Sequence, residues 1–189
     1  LGVVLVAAGW GFFHILISVG GGSAPSQLDL AVHQAMFGLR NPLADIPMAL
    51  LATLGDAAVL TPAVLGVFAW LWWRKRRIAA WHWLAAPAFA LFLTWILGYV
   101  LDMPKPPAAT AVAGFSFPSA TVTMATVVYG FFAVLIAREL PGRRRAWPYV
   151  AAALAVTLLG FARLYLGAHW LSDVLAGIHR DPAIAYPVL

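Results

Sequence analysis

Cysteine is absent from the 189 residues. That excludes a thiol nucleophile, a cysteine-ligated zinc and a disulfide-held secreted scaffold. Charge is scarce too: Asp, Glu, Lys and Arg make up 10% of the chain, against roughly a quarter in soluble domains. Neither an ordinary cytosolic enzyme nor a disordered chain has that composition. The sequence also lacks internal repeats, low-complexity tracts and any stretch that reads as a linker between two domains.

Apolar residues fill the space, at 63% hydrophobic with nine Trp and eleven Phe. One domain of this length cannot hide so much apolar surface, so its solvent must be lipid. The net charge of +5 comes in two short clusters between apolar runs. That is the pattern of membrane topology and not of a nucleic-acid partner.

Runs close to the ~20 apolar residues of a bilayer crossing lie at about Leu1–Gly20, Asp56–Trp73, Trp81–Val100, Ala120–Ala137 and Trp147–Leu166. The first has no basic n-region, so it reads as a span and not a signal peptide, and the chain reads as an excerpt of something longer. A sixth helix should begin near Ala168 and reach only Ile178 before His179-Arg180-Asp181-Pro182. That is about 16 Å of rise, half a bilayer. The fold class expected is therefore all-α: a polytopic membrane bundle of about six transmembrane helices, the last one truncated. Leu28, Val32, Ala35, Met36 and Leu39 recur at helical spacing and add a short amphipathic outer helix, which Asn41-Pro42 ends. Residues 1–178 form the transmembrane domain, and 179–189 are a C-terminal segment of unassigned status.

Arg74, Lys75, Arg76 and Arg77 follow the second span, and Arg138, Arg143, Arg144 and Arg145 follow the fourth. Both loops fall on one side, and the positive-inside bias makes it cytoplasmic. Residues 21–55, 101–119 and 166–169 then face outward.

The residues able to do chemistry collect on that outer side. Arg163, near the outer end of the fifth span, is costly there without a partner or a ligand. Snorkelling to the headgroups is the alternative. His169 and Asp173 stand four apart, on one helix face, where a carboxylate can fix the tautomer of an imidazole and leave its other nitrogen free. Such a pair can also be a plain cap. Phe117-Pro118-Ser119 opens the fourth span, and a helix N-terminus offers unpaired N–H groups to an anion. Lys105 is the basic residue of the same outer loop. Together they suit an anionic ester displayed at the outer leaflet, hence a lipid phosphate. His14 and His82 read as structural.

Arg163, His169 and Asp173, spaced Arg-x5-His-x3-Asp within Ala162–Val174, resemble the third signature of the type 2 phosphatidic acid phosphatase superfamily. The likeness extends over about Leu28–Gly177 and looks nearest to bacterial membrane members related to undecaprenyl-diphosphate phosphatase. The family's first signature, Lys-x6-Arg-Pro, falls on Gly98 and Lys105-Pro106. Its second, Pro-Ser-Gly-His, reads Pro118-Ser119-Ala120-Thr121 here.

The resemblance implies that His169 attacks phosphorus to form a phosphohistidine, with Asp173 orienting it. It implies that Arg163, Lys105 and the Ser119 N–H hold the phosphoryl oxygens. Thr121 stands where the family has its general acid, and it cannot replace that acid near neutral pH. Alanine at 120 would strain the anion-binding turn if the position needs positive φ. No cofactor and no metal are implied. The partner is a membrane lipid phosphate, and the location is the bacterial inner (cytoplasmic) membrane, multi-pass, with the site facing the periplasm or exterior. An inactive relative that binds or moves phospholipid is the alternative function. A transporter would carry ionisable residues at midspan, where this chain is nearly bare. A soluble haloperoxidase with the same signatures is excluded by composition.

Overall fold

The computed structural model describes residues 25–107 and 115–179. The expected first span and the final ten residues lie outside the described residues. Among the described residues every regular element is helical. They are α1 (Gln27–Gly38), α2 (Pro42–Thr53), α3 (Ala57–Trp73), α4 (Arg77–Leu101), α5 (Ala120–Glu139), a short 3-10 turn (Gly142–Arg145), α6 (Ala146–Tyr165) and α7 (Leu171–His179). Four stretches are long and apolar enough to cross a membrane: Pro42–Trp73, Arg77–Leu101, Ala120–Glu139 and Gly142–Tyr165. Phe89, Phe92, Trp95 and Leu154 remain exposed on them, as a lipid-facing surface requires. At one end the guanidinium of Arg77 lies 5.2 Å over the Trp72 ring and that of Arg74 lies 6.0 Å over Trp70. Such aromatic and basic groups gather at headgroup depth.

The helix expected from the spacing of Leu28 to Leu39 is α1. Ser26 and Asp29 start it with a reciprocal capping box, which satisfies two amides that would otherwise lack partners. Asn41-Pro42 ends α1 and also starts a second helix, α2, which the sequence pattern did not announce. The Asn41 side chain accepts from Ala44 N–H at 2.9 Å, and proline suits the first helical position because it has no N–H to leave unpaired. Tyr165, at the end of α6, pins this corner. Its hydroxyl accepts from Asn41 N–H at 3.0 Å and donates to Asp45 Oδ1 at 3.0 Å.

The central element is α5, packed against α3, α4, α6 and α7. It buries Val122, Thr123, Ala125, Val127, Val128, Ala133 and Ala137, small or β-branched residues that let helices approach closely in lipid. Trp83 of α4 ties three helices together. Its indole N–H donates to the Val64 carbonyl of α3 at 2.7 Å, and its ring meets Phe131 and Phe132 of α5 edge-on. Trp83 is buried, so its N–H needs such a partner.

The last helix begins three residues later than Ala168, at Leu171, and is described as far as His179. Gly167 takes a left-handed turn at φ 67°, where a side chain would be strained. The chain therefore reverses after α6 before α7 can start. A Cβ at Gly177 would stand 3.1 Å from Thr123 N, so α7 lies directly on the first turn of α5. The beginnings of α5 and α7 are also side by side, joined by the Ser119 amide and the Asp173 carbonyl.

Candidate active site

Asp173 is fully buried in the first turn of α7. A buried carboxylate costs several kcal/mol unless donors surround it. Its Oδ2 accepts from Ser116 Oγ at 2.6 Å and from Trp170 N–H at 2.8 Å. His169 Nδ1 is 3.4 Å from the same oxygen and 3.1 Å from the Ser116 carbonyl. A carbonyl only accepts, so this contact requires the proton on Nδ1. The lone pair is then on Nε2. The sequence assigned the tautomer-fixing role to Asp173 alone. The geometry divides it between the Ser116 carbonyl and Asp173, whose carboxylate also holds Ser116 in place. Ser116 was not singled out by the sequence, since a serine before Phe-Pro-Ser carries no spacing signal.

Ser119 caps α5, its hydroxyl accepting from Val122 N–H at 3.4 Å. Its own N–H donates to the Asp173 carbonyl at 3.2 Å. The amide assigned to a phosphoryl oxygen thus links the two helix starts. The first amides of a helix have no intrahelical acceptor. Among the described residues those of Ala120 and Thr121 have no other protein acceptor either, and they carry the anion-binding character of this terminus. Ala120 lies in the helix and not at positive φ. The strain considered for alanine at this position does not arise.

Arg163 does not turn to lipid. Its Nη2 donates to the Asp56 carboxylate and, at 3.2 Å, to the Ala52 carbonyl at the end of α2. Its Nε is buried without a protein partner. Asp56 begins α3 yet makes no cap bond with its side chain, which is given over to Arg163. This pairing also escaped the sequence, because residues 107 apart share no local pattern. Beside it, Gly55 faces Thr121: a Cβ on Gly55 would stand 2.5 Å from Thr121 Cγ2 and 2.6 Å from Leu159 Cδ1. Gly55→Val is expected to destabilise the protein by about 1–3 kcal/mol, the usual cost of overpacking. A lowered unfolding midpoint in detergent would register it, and an unchanged midpoint would mean that this corner is looser than the packing indicates.

Lys105 is half-buried in the segment after α4. The neighbouring Pro104 carbonyl accepts from the Trp170 indole at 2.8 Å, which anchors the Lys105 segment to the start of α7. Gly98 is buried under Phe115: a Cβ there would fall 2.5 Å from the ring. The position that aligns with the family's first-signature lysine is filled by an aromatic side chain. Among the described residues no cluster of His, Asp and Glu could hold a metal.

An apolar cavity of about 340 Å³ opens between α3, α4 and α5. Leu60, Val64, Leu84, Leu91 and Met124 line it, together with Ala120 and Thr121 of the first turn of α5. Room for an apolar chain therefore leads to the amides at the start of α5.

Residues 99–179 match the PAP2 superfamily. Phosphatidylglycerophosphatase B of Bacillus subtilis strain 168 is 27% identical over 170 residues, which is 88% of this chain and 84% of that protein. The fold is similar to the crystal structure of a transmembrane PAP2-type phosphatidylglycerolphosphate phosphatase from Bacillus subtilis. The TM-score is 0.81 at 23% identity, over 93% of this chain and 89% of that one. Aquifex aeolicus LpxE shares the fold with a TM-score of 0.57 at 22% identity, over 81% of this chain and 89% of that one. Arg163, His169 and Asp173 fall inside the stretch that matches the PAP2 superfamily, and the helices around them share the fold of these two solved structures.

Proposed function

We propose that this protein is an integral-membrane lipid phosphatase, a phosphoric ester or diphosphate hydrolase. It acts on a polyprenyl diphosphate or phosphatidate-type lipid at the outer leaflet, through a domain spanning residues 1–178. The observation that carries the reading is the His169 ring, held through Nδ1 by the Ser116 carbonyl beside a buried Asp173. Held so, Nε2 can attack phosphorus. An N–P bond forms, the P–O bond to the leaving group breaks, and the leaving oxygen takes a proton from water. Water then cleaves the phosphohistidine. The Nε of Arg163, Lys105 and the amides of Ala120 and Thr121 hold the phosphoryl oxygens and stabilise their charge. The apolar cavity takes the lipid chain.

The test is phosphate release by the purified protein from a panel of lipid phosphates and diphosphates. Release above a His169→Ala control is expected. A specific observation favours a second reading, a non-catalytic phospholipid binder: Thr121 replaces the general acid, and Phe115 covers Gly98. Lipid-phosphate binding without release would select it.

The site faces the periplasm or exterior of a bacterial inner membrane. The warrant is the basic loop residues on the opposite side, Arg74 to Arg77 and Arg138 to Arg145. A cysteine placed at Ala109 should react with an impermeant maleimide in intact cells. Reaction only after the membrane is opened would reverse the orientation.

A further inference from the structure

Asp29 has no part in the chemistry above, yet it is as deeply buried as the residues that do. It is 2% exposed, on a surface helix whose Leu28, Leu30 and Phe37 are exposed. Docking an amphipathic helix on lipid needs apolar contact and no buried charge. A carboxylate in such a place requires donors to offset its lost hydration. It has four. Two come from its own cap: Ser26 N–H at 3.1 Å and Ser26 Oγ at 2.8 Å, both to Oδ2. The other two come from α7: Ser172 N–H to Oδ1 at 2.9 Å and Ser172 Oγ to Oδ2 at 3.1 Å.

Ser172 immediately precedes Asp173 and lies three residues after His169. The N-terminal turn of α7 therefore rests on two carboxylates. Asp173 takes the Trp170 amide from inside the turn, and Asp29 takes the Ser172 amide from outside it. Helix beginnings are costly to nucleate, and the register of this one depends on its capping and tertiary contacts. It follows the Gly167 turn, where the backbone itself imposes little. A small rotation of this turn would move His169 and Asp173 relative to Ser116 and to the start of α5. Misplacement by about 1 Å can cost ~10²-fold in rate.

We infer that Asp29 is a positioning residue, which holds the first turn of α7 so that His169 Nε2 is aimed at the phosphorus. The inference rests on the phosphatase reading of His169. It makes the outer helix a part of the active site's frame as well as a membrane-surface element.

The experiment compares Asp29→Ala, Asp29→Asn and Ser26→Ala in detergent-purified protein. Ser26→Ala removes the cap of α1 and leaves Asp29 on Ser172, so it isolates the stability of α1 from the hold on α7. Asp29→Ala should lower kcat about 10–100-fold, the range for partners that orient a reacting group from behind. KM should stay within about twofold, because no atom of Asp29 touches the phosphate. Asp29→Asn keeps an acceptor for the Ser172 amide and should recover most of kcat. Ser26→Ala should keep wild-type kcat.

A second readout needs no turnover. Diethylpyrocarbonate modification of His169, followed by mass spectrometry, should be several-fold faster in Asp29→Ala than in wild type or Ser26→Ala. Wild-type kcat and an unchanged modification rate in Asp29→Ala would overturn the inference. Equal losses in Ser26→Ala and Asp29→Ala would overturn it too, since α1 stability would then explain both. A wild-type protein with no release above His169→Ala would instead count against the phosphatase reading, and the modification rates would still decide the role of Asp29.

Discussion

His169→Ala should reduce lipid-phosphate hydrolysis to background, a loss of about three orders of magnitude or more, because the step it removes has no substitute in the site. The other groups near the phosphate are donors or cations: Arg163, Lys105 and the amides at the start of α5. They can stabilise developing charge but cannot form a bond to phosphorus. Ser116 Oγ is committed to Asp173 at 2.6 Å, and Thr121 has no base among its described hydrogen-bond partners. Direct attack by water would remain, slowed by the lack of a base to activate it. Asp173→Asn should cost less, since an amide oxygen in the same place can still accept from Trp170 N–H and Ser116 Oγ. The measurement is initial phosphate release from a short-chain lipid phosphate in detergent, with chromatographic elution to show that the variants remain folded. Activity of His169→Ala within about tenfold of wild type would place the nucleophile elsewhere and remove the central step of the proposed mechanism.

How far the sequence reaches is seen in particular residues. The helices α3 to α6 follow from apolar runs of bilayer length, because in lipid a spanning segment must satisfy its own backbone and helix is the way to do so. The pair His169 and Asp173 was expected on one helix face; the structure brings the imidazole within 3.4 Å of the carboxylate, but from the bend two residues before α7 and not from the helix itself. The α2 helix was legible only in retrospect: Asn41-Pro42 ends one helix and begins the next, and the two signals coincide. Ser116, Asp56 and Asp29 were out of reach for a different reason. Each acts on a residue far along the chain, Asp173, Arg163 and Ser172 in turn. Periodicity carries no record of which distant polar groups meet. The close approach of α7 to α5 brings Ser116 and Asp173 together, and it depends on the missing side chain of Gly177, a detail the pattern of apolar residues cannot express.

Thr121→His should restore rate unequally, by as much as ~10²–10⁴ for the substrate that most needs a proton. The reasoning starts from the leaving group. A diphosphate lipid departs as a phosphate monoester, which is stable as an anion near neutral pH. A phosphatidate-type monoester must expel an alkoxide, which has to be protonated as the P–O bond breaks. Thr121 cannot supply that proton, so the protein as it stands should favour diphosphate lipids. An imidazole at 121 has room, since the position lines the cavity and is half-buried. It also belongs to the turn whose amides are proposed to hold the phosphate. Phosphatidate hydrolysis should therefore rise far more than diphosphate hydrolysis, and the preference between the two should narrow. Lipid-phosphate release measured on both substrates for wild type and Thr121→His gives the comparison directly. Equal gains on both would mean that position 121 acts in binding and not in proton transfer. No gain on either, with binding intact, would favour the non-catalytic reading. Phe115 over Gly98 would then be the more consequential departure, because it excludes a cation from the place where the family carries its lysine.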